Sequence, residues 1–169
     1  GNFSNSLGGG ISSNGNTDIF ISKISSSGNI LWVKSIGGSL SDEGNSITTD
    51  ASGNVYTTGY FNGTVDFDPG SGIYNLTSSG FEDIFVSKIS SSGNFIWAIS
   101  LGSTSSDVGQ YIHCDSFGNL FVTGNFSNSL GGGISSNGNT DIFISKISSS
   151  GNILWVKSIG GSLSDEGNS

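Results

Sequence analysis

The only histidine and the only cysteine of the chain are neighbours, at His113 and Cys114. Imidazole and thiol groups commonly act as bases, nucleophiles and metal ligands, so this pair is the first candidate for catalysis. Both residues lie in a run with strand character, and neighbouring strand residues point to opposite faces. The two side chains therefore cannot act on one atom. We interpret them as a packed thiol and a polar strand residue.

Aspartates recur at the same positions in successive segments of the chain. A metal site would need several oxygen ligands at one point, whereas recurrence in every segment indicates carboxylates that accept backbone N–H groups in turns. The aspartates that open one strand are Asp18, Asp83 and Asp141, those that open a turn are Asp50 and Asp115, and those that precede another strand are Asp42, Asp107 and Asp165.

Asp66 and Asp68 form half of a calcium-loop pattern in the run Asp-Phe-Asp-Pro-Gly. The third acid and the terminal glutamate of the EF-hand form are missing. We interpret this run as a solvated loop fixed by Pro69 and keep it as a weak Ca²⁺ candidate. No other cofactor or metal is predicted.

Lysine and tryptophan also recur, each at one position of every repeat: Lys23, Lys88 and Lys146, and Trp32, Trp97 and Trp155. Indole rings can stack on sugars, but a fixed position in every repeat favours packing between repeats. The lysines are expected to pair with a repeated aspartate or to lay their stems along the sheet. Signatures of serine hydrolases, zinc proteases, P-loop enzymes and thiol oxidoreductases are missing, so we predict that the chain is not an enzyme.

Charge and composition exclude several classes of partner. The 169 residues include 13 acids and five lysines, no arginine, and a net charge of −8. Such a chain is a poor ligand for nucleic-acid phosphates or anionic lipid. No apolar run reaches the roughly 20 residues that a membrane helix needs. A single cysteine cannot form an internal disulfide.

Internal repetition determines the expected architecture. Residues 124–169 repeat residues 1–46 without a difference. A second, diverged repeat aligns residues 18–46 with 83–111, with 17 of 29 positions identical. Each repeat contains four short runs of β-branched and aromatic residues, separated by turn signals. The third and fourth runs are joined by Ser-Ser-Ser-Gly-Asn, whose glycines suit a positive φ: Gly28, Gly93 and Gly151.

The third strand of a repeat carries apolar residues on both faces, for example Ile19 and Ile21 on one and Phe20 and Ile24 on the other. In a sheet exposed to water on one side, apolar and polar residues would alternate along the strand, so both faces of this sheet must be covered by neighbouring sheets. A repeated four-stranded antiparallel sheet of this kind predicts an all-β chain of β-propeller blades. A parallel β-helix is the main alternative, with fewer residues and shorter strands in each coil.

The segment 53–124 resembles the bacterial β-propeller repeat family SBBP. It contains GNVYTTG and GNLFVTG, a following DIF-x-SK, and a glycine turn before tryptophan. The run GTVDFDPGSG (63–72) is also similar to repeats in large secreted surface proteins of Bacteroidetes. The resemblance implies an extracellular location and a shape, but no specific activity.

Two and a half blades are expected in the chain. The predicted divisions are a partial blade with strands three and four (1–44), full blades (45–108 and 109–164), and the start of another (165–169). Propellers close with about four to eight blades. We expect either a window of a longer repetitive protein, which we favour, or several chains in one ring, with six or eight blades in total.

Three functional hypotheses follow. The leading one is a non-catalytic structural or adhesive module of a secreted or cell-surface bacterial protein. Its partners would be other blades or identical chains, and glycan or protein ligands held by the segments 4–17 and 62–82. The alternatives are a self-assembling fragment that forms an inter-chain ring or filament, and the propeller of an extracellular enzyme.

Overall fold

The computed structural model describes residues 1–7 and 10–167. Within these residues no helix has the length and apolar character needed to span a bilayer. The regular elements are strands, in chain order β1 (Asn2–Phe3), β2 (Ser6–Leu7), β3 (Ile11–Ser12), β4 (Asp18–Ile24), β5 (Ile30–Ile36), β6 (Glu43–Thr49), β7 (Val55–Asp66), β8 (Asn75–Ile89), β9 (Phe95–Leu101), β10 (Val108–Cys114), β11 (Leu120–Phe126), β12 (Ser129–Gly131), β13 (Ile134–Ser135), β14 (Asp141–Ile147) and β15 (Ile153–Ile159).

Three antiparallel sheets carry the fold. The first blade is β1-β4-β5, the middle blade is β6-β7-β8-β9, and the last blade is β10-β11-β14-β15. Adjacent strands of a blade follow one another along the chain. Two short hairpins interrupt this order: β2–β3 lies between β1 and β4, and β12–β13 lies between β11 and β14. The predicted all-β fold of four-stranded antiparallel blades is confirmed. The first blade contains three strands, because Asn2 and Phe3 pair with β4.

Each turn between third and fourth strands depends on one glycine. In the middle blade, Gly93 has a φ of 82° and donates its N–H to the Ser90 carbonyl at 2.9 Å. Ser90 in turn donates to the Asn94 carbonyl at 2.7 Å, which closes the hairpin. Gly28 and Gly151 have φ angles of 84° and 86°. A side chain at these positions would be strained, which explains why the sequence keeps glycine there.

The segment 62–82 is more ordered than the loop that the sequence suggests. Most of it extends the hairpin of β7 and β8, with Val65 paired to Leu76 and Asp66 paired to Asn75. The extension holds because Val65 and Phe67 are buried with Phe61. The apolar residues are sparse among polar ones, so composition alone indicates a loop. The equivalent segment 4–17 contains only the short β2–β3 hairpin.

Two apolar cores lie at the two junctions between blades. Each blade has a forward face, which points to the following blade, and a rear face, which points to the preceding one. Junction one packs the forward face of the first blade on the rear face of the middle blade: Ile19, Ile21 and Ile36 against Val55, Phe61, Phe85, Ile89 and Ala98. Junction two packs the forward face of the middle blade on the rear face of the last: Tyr56, Ile84, Val86 and Leu101 against Leu120, Phe126, Leu130, Phe143 and Ile147. The middle blade therefore has both faces covered.

Candidate functional site: the blade junctions and the outer hairpin

A lysine and a tryptophan of one blade hold a backbone carbonyl of the next. At junction one, Lys23 Nζ donates to the Ser91 carbonyl at 2.8 Å and Trp32 Nε1 donates to the same oxygen at 3.3 Å. Lys23 and Trp32 are paired across β4 and β5, so both side chains lie on the forward face. Ser91 belongs to the Ser-Ser-Ser-Gly-Asn turn of the middle blade. We call this arrangement the Lys–Trp clamp.

The clamp is repeated at junction two. Lys88 Nζ and Trp97 Nε1 donate to the Ser149 carbonyl at 3.3 and 3.2 Å. The turn glycine lies against the indole ring, since a Cβ at Gly151 would be 3.0 Å from Trp97. Glycine at this position thus serves both the positive φ and the close approach of the ring. The recurrent lysine and tryptophan therefore join blades to one another.

Lys88 has further contacts within its own blade. Its Nζ lies 3.9 Å from an Asp50 oxygen and 4.9 Å from the centre of the Tyr56 ring. The Tyr56 hydroxyl donates to Asp50 at 3.1 Å, and burial together with this carboxylate raises the pKa of Tyr56. The ion pair expected from the sequence is present at this lysine, beside the contact with the following blade.

The aspartates that open third strands accept backbone N–H groups from the segment just before them. Asp18, Asp83 and Asp141 are buried, and each uses one oxygen for the N–H four residues earlier, at 2.8 to 3.0 Å. The second oxygen of each has no hydrogen-bond partner among the described residues. Each carboxyl also lies against the glycine that directly follows the fourth strand of its blade. For example, a Cβ at Gly37 would be 2.3 Å from the carboxyl carbon of Asp18.

The aspartates before first strands connect one blade to the next. Asp42 accepts the Gly38 N–H at 2.7 Å and the Asn62 N–H at 3.0 Å. Asp107 does the same with Ser103 and Ser127. Each carboxylate ties the residues after the last strand of one blade to the second strand of the next blade, at Asn62, or to the residue just after that strand, at Ser127. The sequence predicts turn-stabilising acids here, and the structure places them at connections between blades.

These buried carboxyls are expected to make the fold more stable at mildly acidic pH than at neutral pH. Burial raises the pKa of Asp18, Asp42, Asp83 and Asp107 above the ordinary 3.8. The folded state then binds more protons than the unfolded state between 3.8 and the raised values, so stability falls as the pH rises through that interval. Urea midpoints should decrease as the pH is raised from just above 3.8 towards neutral. A midpoint that falls on acidification over this range would contradict the assignment.

The aspartates that open the turns between first and second strands accept backbone N–H groups of those turns. Asp50 Oδ1 accepts the Ser52 and Asn54 N–H groups, both at 2.9 Å. Burial acts to raise the pKa of Asp50, but the hydrogen bonds from Asn54, Tyr56 and Ser52 outweigh it and lower the pKa. Asp115 repeats the arrangement with Phe117 and Asn119. These carboxylates are occupied in shaping the hairpin.

His113 and Cys114 lie on opposite faces of β10. His113 is exposed beside Tyr111 and Phe121 on the forward face of the last blade. Cys114 is half-buried beside the core of junction two. Burial, and then the charges of Asp50 and Asp115, raise the pKa of the Cys114 thiol. A raised pKa disfavours the thiolate, so the local environment does not activate this sulfur as a nucleophile.

Asp66 and Asp68 hold the tip of the long hairpin of β7 and β8. Asp66 Oδ1 accepts the N–H groups of Asp68 at 3.0 Å and of Tyr74 at 2.8 Å, and Asp68 Oδ1 accepts the Gly70 N–H at 2.8 Å. Over residues 1–7 and 10–167, no three His, Cys, Asp or Glu side chains converge in a way that could hold a metal ion. The tip exposes Ile73, 79% accessible, beside Tyr74.

The comparisons with known proteins agree with this architecture. Residues 31–65 match the family described as beta-propeller repeat, SBBP. A WD repeat-containing protein, L264, of Acanthamoeba polyphaga mimivirus is 33% identical over 120 residues, which cover 63% of this chain and 9% of that protein. The regulatory protein FlaEY of Caulobacter vibrioides is 26% identical over 140 residues, which cover 82% of this chain and 15% of that protein. The chain thus spans less than a sixth of either relative.

Proposed function

We propose that the chain is a non-catalytic structural and adhesive repeat module of a secreted or cell-surface bacterial protein. Its stacked blades would form a rigid frame, and its outer hairpins would contact glycan or protein ligands. The observation that carries the proposal is the long hairpin of β7 and β8, which extends past the neighbouring strands of its sheet and ends in a fixed, exposed tip.

The tip has the chemistry of a contact surface. Asp66 and Asp68 fix its backbone through three hydrogen bonds from N–H groups, so little conformational freedom would be lost on binding. The Tyr74 ring packs at a tilt of 38° against Phe95, with their centroids 4.7 Å apart, which holds an aromatic side chain at the surface. Aromatic faces and hydroxyl groups suit contacts with sugars and with protein surfaces.

The extracellular location is supported by composition and by the resemblance to SBBP repeats. Charged residues are 11% of the chain and the net charge is −8, which suits neutral, hydrogen-bonded ligands rather than nucleic acid or anionic lipid. The matched family and the WD repeat-containing relative both favour a repeat module.

Binding to a glycan microarray tests the proposal, with the full chain as the probe. Binding is expected, and the double variant Ile73→Ser, Tyr74→Ser should lose it. The matched control is Ile47→Ser, at an exposed apolar residue of β6 away from the tip, which should bind as the parent does. Binding that survives the tip variant would contradict the assigned surface. Cleavage of a bound glycan by the chain would contradict the non-catalytic role.

A further inference from the structure

Two copies of one sequence have opposite environments in this molecule. Ile36 and Ile159 are equivalent residues of the identical segments 1–46 and 124–169. Ile36 lies in junction one and is 2% exposed, whereas Ile159 lies on the forward face of the last blade and is 63% exposed. The β14–β15 part of this face thus has an identical counterpart, in β4 and β5, that forms a blade junction.

The opposite end of the chain presents the complementary face. Ile147 is fully buried on the rear face of the last blade, where it packs in junction two. Its equivalent Ile24, on the rear face of the first blade, is 57% exposed. Leu7, Phe20 and Val33 line an apolar groove beside it. The rear face of the first blade therefore also has a counterpart that forms a junction.

The clamp is likewise divided between the two ends. On the last blade, Lys146 lies over the Phe121 ring, 5.3 Å from its centre, and Trp155 is 37% exposed. In the part of the chain that the structure describes, neither Lys146 nor Trp155 donates to a backbone carbonyl, unlike the lysines and tryptophans of the other two clamps. At the first blade, the exposed Ser26 occupies the turn position of Ser91 and Ser149, whose carbonyls the other clamps hold.

We propose that the chain associates head to tail with a second copy of itself. The forward face of the last blade in one copy packs on the rear face of the first blade in the next. Lys146 and Trp155 donate to the Ser26 carbonyl of that copy. The interface continues the geometry of the two junctions inside the chain, so every blade follows one stacking rule. Since the two faces differ, the contact is heterologous and generates a ring or a filament rather than a two-fold dimer.

Sedimentation velocity over a range of concentrations gives the first test. The parent chain should form species that are multiples of the 17.3 kDa chain mass as concentration rises. Two variants each remove one face: Ile159→Asp on the forward face and Ile24→Asp on the rear face. Both residues are exposed in the single chain, so far-UV circular dichroism should remain that of the parent. Each variant alone should associate more than about tenfold more weakly.

Sedimentation velocity on a mixture of the two variants is the decisive experiment. The Ile24→Asp chain keeps an intact forward face and the Ile159→Asp chain keeps an intact rear face. Together they should form a species of two chains that grows no further, because the remaining faces are both disabled. A parent chain that stays monomeric, a variant that associates as the parent does, or a mixture that stays monomeric would each overturn the proposal. The tip variant Ile73→Ser, Tyr74→Ser should associate normally, so this result is independent of the proposed ligand contact.

Discussion

Replacing Ile36 with alanine is expected to destabilise the fold by about 2–5 kcal/mol, whereas the same change at Ile159 should cost less than about 1 kcal/mol. The surrounding sequence is identical at the two sites, so intrinsic strand propensity cancels in the comparison. Only the environment differs, because Ile36 is 2% exposed and Ile159 is 63% exposed. The difference therefore measures the contribution of burial in a blade junction.

Urea denaturation at a concentration where the chain is monomeric measures both variants. The expected loss at Ile36 combines the transfer of its side chain to water with the cavity left between Ile19 and the middle blade. Equal losses at Ile36 and Ile159 would mean that junction one does not form as described.

Replacing Asp42 with alanine is expected to destabilise the fold by about 2–5 kcal/mol. The side chain is fully buried and accepts two backbone N–H groups, those of Gly38 and Asn62, at 2.7 and 3.0 Å. Without the carboxylate both donors stay buried and unpaired, which is the larger part of the expected loss. The carboxylate itself carries a desolvation cost, as its raised pKa shows, and removing that cost offsets part of the loss.

Asp165→Ala is the matched control for this prediction. Asp165 is the equivalent residue of the identical copy, and it accepts the Gly161 N–H at 2.7 Å on a half-buried side chain. Water can replace the lost acceptor there, so the change should cost less than about 1.5 kcal/mol. Thermal unfolding of the two variants compares them directly. If Asp165→Ala lost as much stability as Asp42→Ala, the hydrogen bond from Asn62 in the next blade would contribute no stability beyond that of the local turn.

Most of the architecture follows from repetition and from apolar residues on both faces of one strand. Ile84, Phe85 and Val86 are consecutive and all buried, as covering on both faces requires. The extension of the β7–β8 hairpin is harder to predict, because it depends on the packing of Phe67 against Phe61 and Phe85, which lie outside the run 62–82. Propensity within the polar run 62–82 carries no signal of those contacts.

The acceptor of the Lys–Trp clamp could not be predicted from the sequence. The recurrence of Trp97 predicts packing between blades, and that of Lys88 predicts an ion pair or a stem laid along the sheet. The structure adds that both side chains donate to the backbone carbonyl of Ser149, in a turn whose sequence predicts only a hairpin. Every residue has a backbone carbonyl, so the type of a residue does not indicate that its carbonyl is an acceptor. The available signal was the shared period of the lysine, the tryptophan and the glycine turn.

Amide hydrogen exchange in the three equivalent strands β4, β8 and β14, followed by NMR on the monomeric chain, tests the stacking of blades most directly. The three strands have nearly the same sequence, but only β8 has both of its faces covered by neighbouring blades. If the blades stack as described, the amides of Ile84 and Val86 should exchange more slowly than those of their counterparts in β4 and β14. Equal exchange rates in the three strands would contradict this stacking.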